Sequence, residues 1–553
     1  MSKTKVLLVA ILFLFSLLMV ACSADPDAKL NKDEENNQPS DNNSGSTAVN
    51  SETKQGGDLV IASTSNPTMF NEFYASDSPS NTIAKFIYDS LIKIDENLQP
   101  IPSLAESWEY NEDEMKWVFH LREDVTWHDG EPFTAKDVEF TYNIPKHEDY
   151  TGPRTSFFAP AEKIEAVDDY TVEITFNEPD AKFLPIALAF NVLPEHILGD
   201  IPVADLGTAD FNTKNPIGTG PFKFDEWKQG QHVRLVANDD YFDGRPNFDT
   251  ITSKIVTDDN AMLAQFEAGD IDFIDVSDEN FNVAQKLADE GKAELLVVPA
   301  TNYNYIGYDL TNPLFEDKRV RQALTHALNR EAIVENVLDG NAIVSDSPGL
   351  PFSWAYNEDV PKFEYDPEKA KALLEEAGWT DSDGDGVLDK DGQDFEFELK
   401  TNQGNKVREK LLVIAQEQWG EIGVKVTPKV VEFSALSAEL NDKNFEAYIL
   451  GWGLRDDPSL SPYFHSEEIE SGFNRVSYSN PELDEVMEKG DSIMDPDERV
   501  QYIEESQAIV AEDQPYTFLY YPNRNLLYSK QIKNVLSHSG TAYFEIYKWY
   551  KED

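Results

Sequence analysis

Hydrophobic and polar positions alternate in the segment around residue 119. Trp117, Phe119 and Leu121 fall on every second position, and Lys116 and His120 lie on the alternate positions. This period is typical of a strand with one buried and one exposed face. Strands are also predicted over residues 58–62 and 170–176.

Helix signals follow the strand patterns along the chain. Thr134 and Asp137 have the spacing of a capping box, so a helix is predicted to begin there, after a turn at Asp129-Gly130. Further helices are predicted after Asp317, from Asp366 to Gly378, over residues 407–420 and from Asn480 to residue 510. For the segment around residue 119, these patterns predict a twisted sheet edge followed by a helix that covers it.

The N-terminal segment has the features of an export signal. An apolar run over residues 6–20 is too short for a comfortable membrane span. Cys22 is the only cysteine, which excludes an intramolecular disulfide, and residues 18–22 resemble a bacterial lipobox. A buried role is the alternative for a lone cysteine, but the end of a cleaved signal has no core to enter. We therefore predict a signal peptide over residues 1–21 and lipidation of Cys22.

Residues 22–57 are rich in Ser, Asn, Asp and Gly, which predicts a flexible tether. Two or more acyl chains on Cys22 would hold such a tether stably on a membrane without a transmembrane helix. The predicted location is the extracellular face of the cell membrane.

The charge balance is strongly acidic, with 46 Lys and Arg against 103 Asp and Glu and a formal net charge of −57. This excess argues against nucleic acid or anionic lipid as a partner. The acidic residues are spread along the whole chain, which favours a solvated surface suited to high salt or an exposed cell face. Attraction of cationic ligands is the alternative interpretation.

Catalytic motifs are missing from the sequence. The chain contains no G-x-S-x-G, H-E-x-x-H or phosphate loop, and its eight histidines lack metal-ligand spacing. Paired carboxylates occur throughout so acidic a chain, so their presence does not distinguish an enzyme from a binding protein. A binding protein is the favoured interpretation, and a cell-surface hydrolase is the alternative.

Four motifs in fixed order resemble a known family signature: LAESWE from Leu104, WVFHLR from Trp117, DVTWHDG from Asp124 and FTAKDV from Phe133. They resemble the peptide/nickel class (family 5) of ABC-transporter solute-binding proteins. Further motifs, such as PIGTGPFKF from Pro216 and EDQPYTFLYYPN from Glu512, extend this likeness to App-type oligopeptide-binding lipoproteins of Gram-positive bacteria.

The resemblance implies a two-lobed, periplasmic-binding-protein-like α/β fold of class II type, with an extra α+β subdomain inserted in the first lobe. It divides the chain into first-lobe segments 58–99, 216–302 and 522–553, an extra subdomain 100–215 and a second lobe 303–521.

The function implied by the resemblance is that of a monomeric substrate-binding lipoprotein of an ABC importer. It would capture oligopeptides and deliver them to a membrane permease and its ATPase subunits, with no cofactor. The same scaffold binding a nickel chelate, heme or an oligosaccharide is the alternative.

In the resembled family, the strand matching residues 448–453 pairs with the peptide backbone, which implicates Trp452 and Gly453. An aspartate just after that strand takes the peptide's α-ammonium. A buried ammonium needs a charged partner, since its desolvation costs several kcal/mol. Asp457 is the first choice for this role and Asp456 the second; the alternative for both is a solvated turn. Trp452 could equally stack on a sugar.

Six more residues are predicted to contact a ligand: Ser65, Asn66, Tyr303, Asn402, Asn405 and Arg408. The first two follow a buried strand, where open α/β sheets place ligand contacts, and a plain loop is the alternative. The tyrosine could line a cleft or pack in a core. The last three lie at a helix start, where an N-terminus and an arginine can hold a carboxylate; a mere cap is the alternative.

An acidic loop matches part of a calcium-binding motif. Asp381, Asp383, Asp385 and Asp389 occupy positions one, three, five and nine of a calcium loop. Position twelve, however, is Gly392 instead of the bidentate glutamate. The alternative to a calcium site is a plain hairpin.

Overall fold

A computed structural model describes residues 55–552 of the chain. The predicted signal peptide, Cys22 and almost all of the predicted tether lie outside the described residues. Among the helices of residues 55–552, none has the length and apolar character needed to span a bilayer.

Within residues 55–552, the strands form one large sheet and four smaller ones. Their bounds are β1 (Asp58–Ser63), β2 (Ile92–Ile94), β3 (Pro100–Pro102), β4 (Ala105–Asn111), β5 (Lys116–Leu121), β6 (Ala161–Asp168), β7 (Thr171–Phe176), β8 (Phe222–Lys228), β9 (His232–Ala237), β10 (Thr250–Ile255), β11 (Phe273–Val276), β12 (Ala293–Pro299), β13 (Asn302–Tyr308), β14 (Ala342–Val344), β15 (Asp389–Lys390), β16 (Gln393–Asp394), β17 (Glu396–Asn402), β18 (Lys425–Val431), β19 (Ala447–Gly453), β20 (Tyr516–Ser529), β21 (Ile532–Lys533) and β22 (Tyr550–Lys551). The strands predicted near residues 58, 117 and 171 are confirmed as β1, β5 and β7.

The α-helices lie mostly between the strands. Their bounds are α1 (Ser78–Ile87), α2 (Ala135–Asn143), α3 (Thr155–Phe158), α4 (Phe183–Ala187), α5 (Glu195–Leu198), α6 (Val203–Leu206), α7 (Asp259–Glu267), α8 (Phe281–Asp289), α9 (Lys318–His326), α10 (Arg330–Val337), α11 (Pro367–Glu376), α12 (Lys406–Gly420), α13 (Phe433–Asn441), α14 (Ser461–Phe464), α15 (Glu468–Ser471), α16 (Pro481–Ser492) and α17 (Pro496–Asp513). Single 3₁₀ turns occur at Ile144–Lys146, Asp210–Asn212, Asp278–Asn280 and Ile546–Lys548. The helical region predicted after Asn480 is confirmed and consists of two helices, because Asp495 and Pro496 cap and start the second one.

The twelve-stranded sheet runs in the order β18-β17-β19-β13-β20-β11-β1-β10-β9-β8, and β12 and β14 also pair with β20. We call the part built on β1, β8 to β12 and the end of β20 the first lobe. The part built on β13, β14, β17 to β19 and the start of β20 is the second lobe. The helices α16 and α17 pack into an aromatic core of the second lobe through Leu483, Met487 and Val510.

Two connections join the lobes. Strand β20 is 14 residues long; its first half pairs with β13, and residues Asn523 to Ser529 pair with β12. The second connection is the step from β12 to β13 at residues 300–301. A hinge usually consists of a few loop or element-terminal residues that absorb the torsion changes, so these two connections are where we expect the lobes to hinge.

A separate four-stranded antiparallel sheet has the order β4-β5-β7-β6. We call this sheet, with helices α2 to α5, the inserted subdomain. The predicted capping box is present at the start of α2, where Asp137 accepts a hydrogen bond from the Thr134 backbone N–H at 2.8 Å. The predicted turn is also present, with Gly130 at φ +95°, a conformation that glycine adopts without strain.

Candidate functional site

A cavity of about 400 Å³ lies between the two lobes. Most of its wall belongs to the first lobe and consists of helix α1, Tyr241 and residues 538–547 near the C-terminal end. The second lobe contributes Asp456, which reaches the cavity from the loop after β19. Helix α1 is fixed by its cap, since Asp77 accepts a hydrogen bond from the Ser80 N–H, and it presents Lys85 to the cavity.

Several polar atoms in this wall have no hydrogen-bond partner within residues 55–552. They include the Tyr88 hydroxyl, the Asn191 Nδ2 and the His538 Nε2. Burial also lowers the pKa of His538, which favours the neutral imidazole. Buried polar groups are nearly always paired in folded proteins, so the wall of this cavity is polar and incompletely satisfied.

The Asp456 carboxylate is half-buried and makes no hydrogen bond or ion pair within the described part of the chain. Burial raises the pKa of this carboxyl, the charge of Lys85 opposes that effect, and the neighbouring Asp457 adds to it. A partly desolvated carboxylate without a partner is suited to a cationic group on a ligand.

Asp457 has a different role from the one predicted. Its carboxylate accepts two hydrogen bonds from Arg499, at 2.6 and 2.9 Å, and a third from the Ser459 backbone N–H at 2.9 Å. Only 2% of the Asp457 side chain and 4% of the Arg499 side chain are exposed. The Asp457 carboxylate is therefore already paired and enclosed, and Asp456, the second candidate for the ammonium role, is the one of the two that lines the cavity.

Strand β19, which precedes the loop that carries Asp456, has one edge that is only partly paired. Its partner β13 covers its whole length, from Ala447 to Gly453, whereas β17 pairs only with residues 447–449 on the other side. Gly453 is exposed, and a side chain placed there would meet nothing within 4 Å. The Gly453 carbonyl accepts a hydrogen bond from the Tyr463 hydroxyl at 3.3 Å, and the other backbone groups on this edge of residues 450–453 have no strand of this sheet as a partner.

The aromatic candidates near β19 are packed. Trp452 is half-buried, stacks on Tyr305 with ring centroids 6.2 Å apart, and carries the Arg475 guanidinium 4.9 Å above its ring. Tyr303 is fully buried among aromatic rings that include Phe518. The packing alternative therefore describes Tyr303, and Trp452 presents only part of its surface.

The predicted contacts after β1 are exposed loop residues. The Ser65 carbonyl accepts a hydrogen bond from the Ser63 hydroxyl at 2.8 Å, and the Asn66 side chain accepts one from the Gly230 N–H at 2.9 Å. These bonds close the loop on itself and on the β8–β9 turn. Neither Ser65 nor Asn66 lines the cavity of about 400 Å³.

The candidates around α12 form a local network. Asn405 caps the helix, and its side chain accepts from the Arg408 backbone N–H at 2.9 Å. The Arg408 guanidinium donates to Asn304 at 2.9 Å and to Asn402 at 3.0 Å. Burial lowers the pKa of Arg408, and its guanidinium forms no ion pair with a carboxylate of residues 55–552. Its charge is therefore held by amide oxygens alone, and it could accept a carboxylate.

In the acidic loop, carboxylate oxygens of Asp381, Asp383 and Asp385 lie within 4.8 Å of one another. The Asp389 carboxylate instead accepts both the backbone and the hydroxyl hydrogen bond of Ser382. A hairpin of β15 and β16 follows the loop. The calcium site at these four aspartates stays a prediction.

Comparison with known proteins identifies the family. The model of the bacterial extracellular solute-binding proteins, family 5 Middle, matches residues 99–471. This chain belongs to that family. The prediction of a two-lobed binding-protein fold is confirmed by this match and by the solved structures of the family.

Three relatives show the range of this family. Oligopeptide-binding protein AppA of Bacillus subtilis is 43% identical over 556 residues, 99% of each chain. The solved structure of that AppA in complex with a nonapeptide covers 91% of this chain and 100% of its own, with 45% identity and a TM-score of 0.72. Heme-binding protein A of Haemophilus influenzae is 30% identical over 460 residues, 79% of this chain and 82% of that protein. NikZ from Campylobacter jejuni in complex with Ni(L-His) is 29% identical, covers 89% of this chain and 99% of its own, and has a TM-score of 0.72.

Proposed function

We propose that this family member captures oligopeptides between its two lobes and hands them to the permease of an ABC importer. The observation that carries the proposal is the Asp456 carboxylate, which faces the interlobe cavity without a partner in the described residues. A peptide α-ammonium would supply the missing charge. The full-length similarity to an oligopeptide-binding protein supports the same ligand class.

The peptide backbone would bind at the free edge of β19, at residues 450–453. Adding a strand to a sheet edge uses main-chain hydrogen bonds, so affinity does not depend on the side chains of the ligand. Gly453 has no side chain to obstruct that approach. Arg408 is the best-placed candidate for a ligand carboxylate, because its present partners, Asn304 and Asn402, are neutral.

Lobe closure would follow the hinge of β20 and the β12–β13 step. A ligand held between Asp456 and the first lobe favours the closed arrangement, and the permease would recognise that arrangement. We also propose that Cys22 is lipidated and that residues 22–57 tether the protein to the extracellular face of the membrane.

Calorimetry tests the ligand class. We expect a mixed pool of oligopeptides to bind, whereas cello-oligosaccharides, heme and a nickel–histidine chelate do not. Heat from one of those three ligands, with none from the peptides, would overturn the proposal in favour of the corresponding alternative. Incubation with a labelled peptide should leave the peptide intact, and a cleaved product would revive the hydrolase interpretation.

Lowering the pH should weaken the binding of free-amine peptides. The loss of affinity should begin at a pH where an ordinary aspartate is still ionised. Burial raises the pKa of Asp456, and protonation removes the charge that pairs with the ammonium, so binding is lost as the pH falls through that raised pKa. The measurement is a peptide titration between about pH 7.5 and about pH 4. The peptide affinity of the Asp456→Asn variant should not change with pH over this range. If its affinity falls with pH as steeply as that of the wild-type protein, another group is responsible for the pH dependence.

A further inference from the structure

The inserted subdomain makes a direct polar contact with the second lobe. Lys182, which lies just before α4, places its Nζ 2.7 Å from the Asp491 carboxylate near the end of α16. The backbone N–H of Ala181 donates to the Asp491 carbonyl at 2.9 Å. One partner of each bond lies in the inserted subdomain and the other in the second lobe, so both bonds would break if these two parts moved apart here.

Asp491 connects this contact to the interior of the second lobe. Its carboxylate accepts a hydrogen bond from the Ser461 hydroxyl at 2.6 Å and lies 3.5 Å from the Arg499 guanidinium. Arg499 in turn holds Asp457 in the buried pair described above. Asp457 precedes Pro458 and directly follows Asp456, the proposed ammonium ligand.

The segment that carries Asp456 is held on its other side as well. Arg455 places its guanidinium 4.6 Å above the ring of Phe157, which belongs to the inserted subdomain. The residues before and after Asp456 are therefore both held, one directly and one through Arg499, by contacts with that subdomain. Contacts on both sides of Asp456 limit the positions that its carboxylate can take.

The charges in this network nearly balance. Lys182 and Arg499 face the carboxylates of Asp180, Asp457 and Asp491. Burial opposes the charge on Lys182, but Asp491 and Asp180 outweigh it and raise the pKa of the ammonium. The Lys182 side chain is 28% exposed and that of Asp491 is 14% exposed, so water screens this pair only in part.

We propose that Lys182, Asp491 and Arg499 form an interlobe latch that keeps the lobes closed and positions Asp456 for a ligand's ammonium group. The inference rests on the proposed function for the identity of the ligand, although the latch itself is a property of the protein alone. The inserted subdomain thereby acquires a role in ligand retention, with Lys182 as a positioning residue that does not touch the ligand.

Dissociation kinetics test the latch. In the Lys182→Gln variant, we expect the dissociation rate of a free-amine peptide to rise roughly tenfold with little change in the association rate, since loss of a partly buried charge pair acts mainly on dissociation. The dissociation rate of the N-acetylated form of the same peptide should rise less, because that form has no terminal ammonium group to pair with Asp456. Lys182→Arg should restore most of the retention.

The matched control is Lys163→Gln in the same subdomain, where Lys163 is 61% exposed and forms an ion pair with neighbouring Glu165. This variant should dissociate at the wild-type rate. Dissociation rates of Lys182→Gln that stay at the wild-type value, or that rise equally for both peptides, would overturn the positioning role.

Hydrogen exchange separates failure of the latch from failure of the proposed function, because it needs no ligand. The Ala181 amide is bonded to Asp491 across the interface, so it should be protected in the wild-type protein and exchange faster in Lys182→Gln. An Ala181 amide that exchanges at the same rate in both proteins would overturn the latch. If the wild-type protein binds no peptide, but its Ala181 amide still exchanges more slowly than that of Lys182→Gln, only the proposed function is overturned.

Discussion

Replacing Arg499 with methionine should lower the free energy of unfolding by about 3–5 kcal/mol. The substitution leaves the Asp457 carboxylate in a site where 2% of its side chain is exposed, with the Ser459 N–H as its remaining close donor. A buried charge that has lost its counter-charge is among the most destabilising features a single substitution can create. Equilibrium urea unfolding, followed by tryptophan fluorescence, measures the change.

The matched control is Arg234→Met, since Arg234 pairs with Asp225 on the surface, with 39% and 40% of their side chains exposed. Surface pairs contribute about 0–1 kcal/mol, so this variant should unfold close to the wild-type protein. The double variant Arg499→Met/Asp457→Leu should recover much of the loss, because neither charge is then buried alone. If Arg499→Met and Arg234→Met unfold at the same urea concentration, the buried pair does not stabilise the fold as described.

The Asp456→Asn variant should bind a free-amine peptide about 100-fold more weakly, which corresponds to about 3 kcal/mol. Its affinity for the N-acetylated form of the same peptide should change less than about threefold, because that peptide has no terminal charge to pair. The unliganded variant should be at least as stable as the wild-type protein, since the substitution removes a partly buried charge without a partner. Calorimetric titrations with the two peptides and a thermal melt provide the three values.

Glu545→Gln is the control for Asp456→Asn. Glu545 lines the same cavity, but its carboxylate is already paired with Lys548 at 2.6 Å. This variant should bind both peptides with nearly wild-type affinity. Equal losses for the free and acetylated peptides in Asp456→Asn would remove Asp456 from the ammonium role.

Local sequence signals predicted the elements well. The alternation of Trp117, Phe119 and Leu121 identified β5, and the spacing of Thr134 and Asp137 identified the start of α2, because both patterns depend only on near neighbours. The length of β20 was not predictable in the same way, since Pro522 interrupts its pattern. Its continuation depends on pairing with β12, whose residues are more than 200 positions away.

The site was harder to predict because adjacent residues have different tertiary partners. Asp456 and Asp457 share one local sequence, and only the position of Arg499, 42 residues further along, decides which carboxylate stays free. Likewise, Lys182 and Asp491 are 309 positions apart, and no motif marks either residue. Asn405 illustrates the reverse case, since its capping role is local and the sequence offered it as one of two interpretations.

The most direct test of the central claim is a crystal structure of the complex with a free-amine oligopeptide. In that structure we expect an extended peptide between the lobes, with its terminal nitrogen about 2.7–2.9 Å from the Asp456 carboxylate and its backbone hydrogen-bonded to the free edge of β19. A peptide bound outside the interlobe cavity, or one whose terminal nitrogen lies in solvent away from Asp456, would contradict this claim.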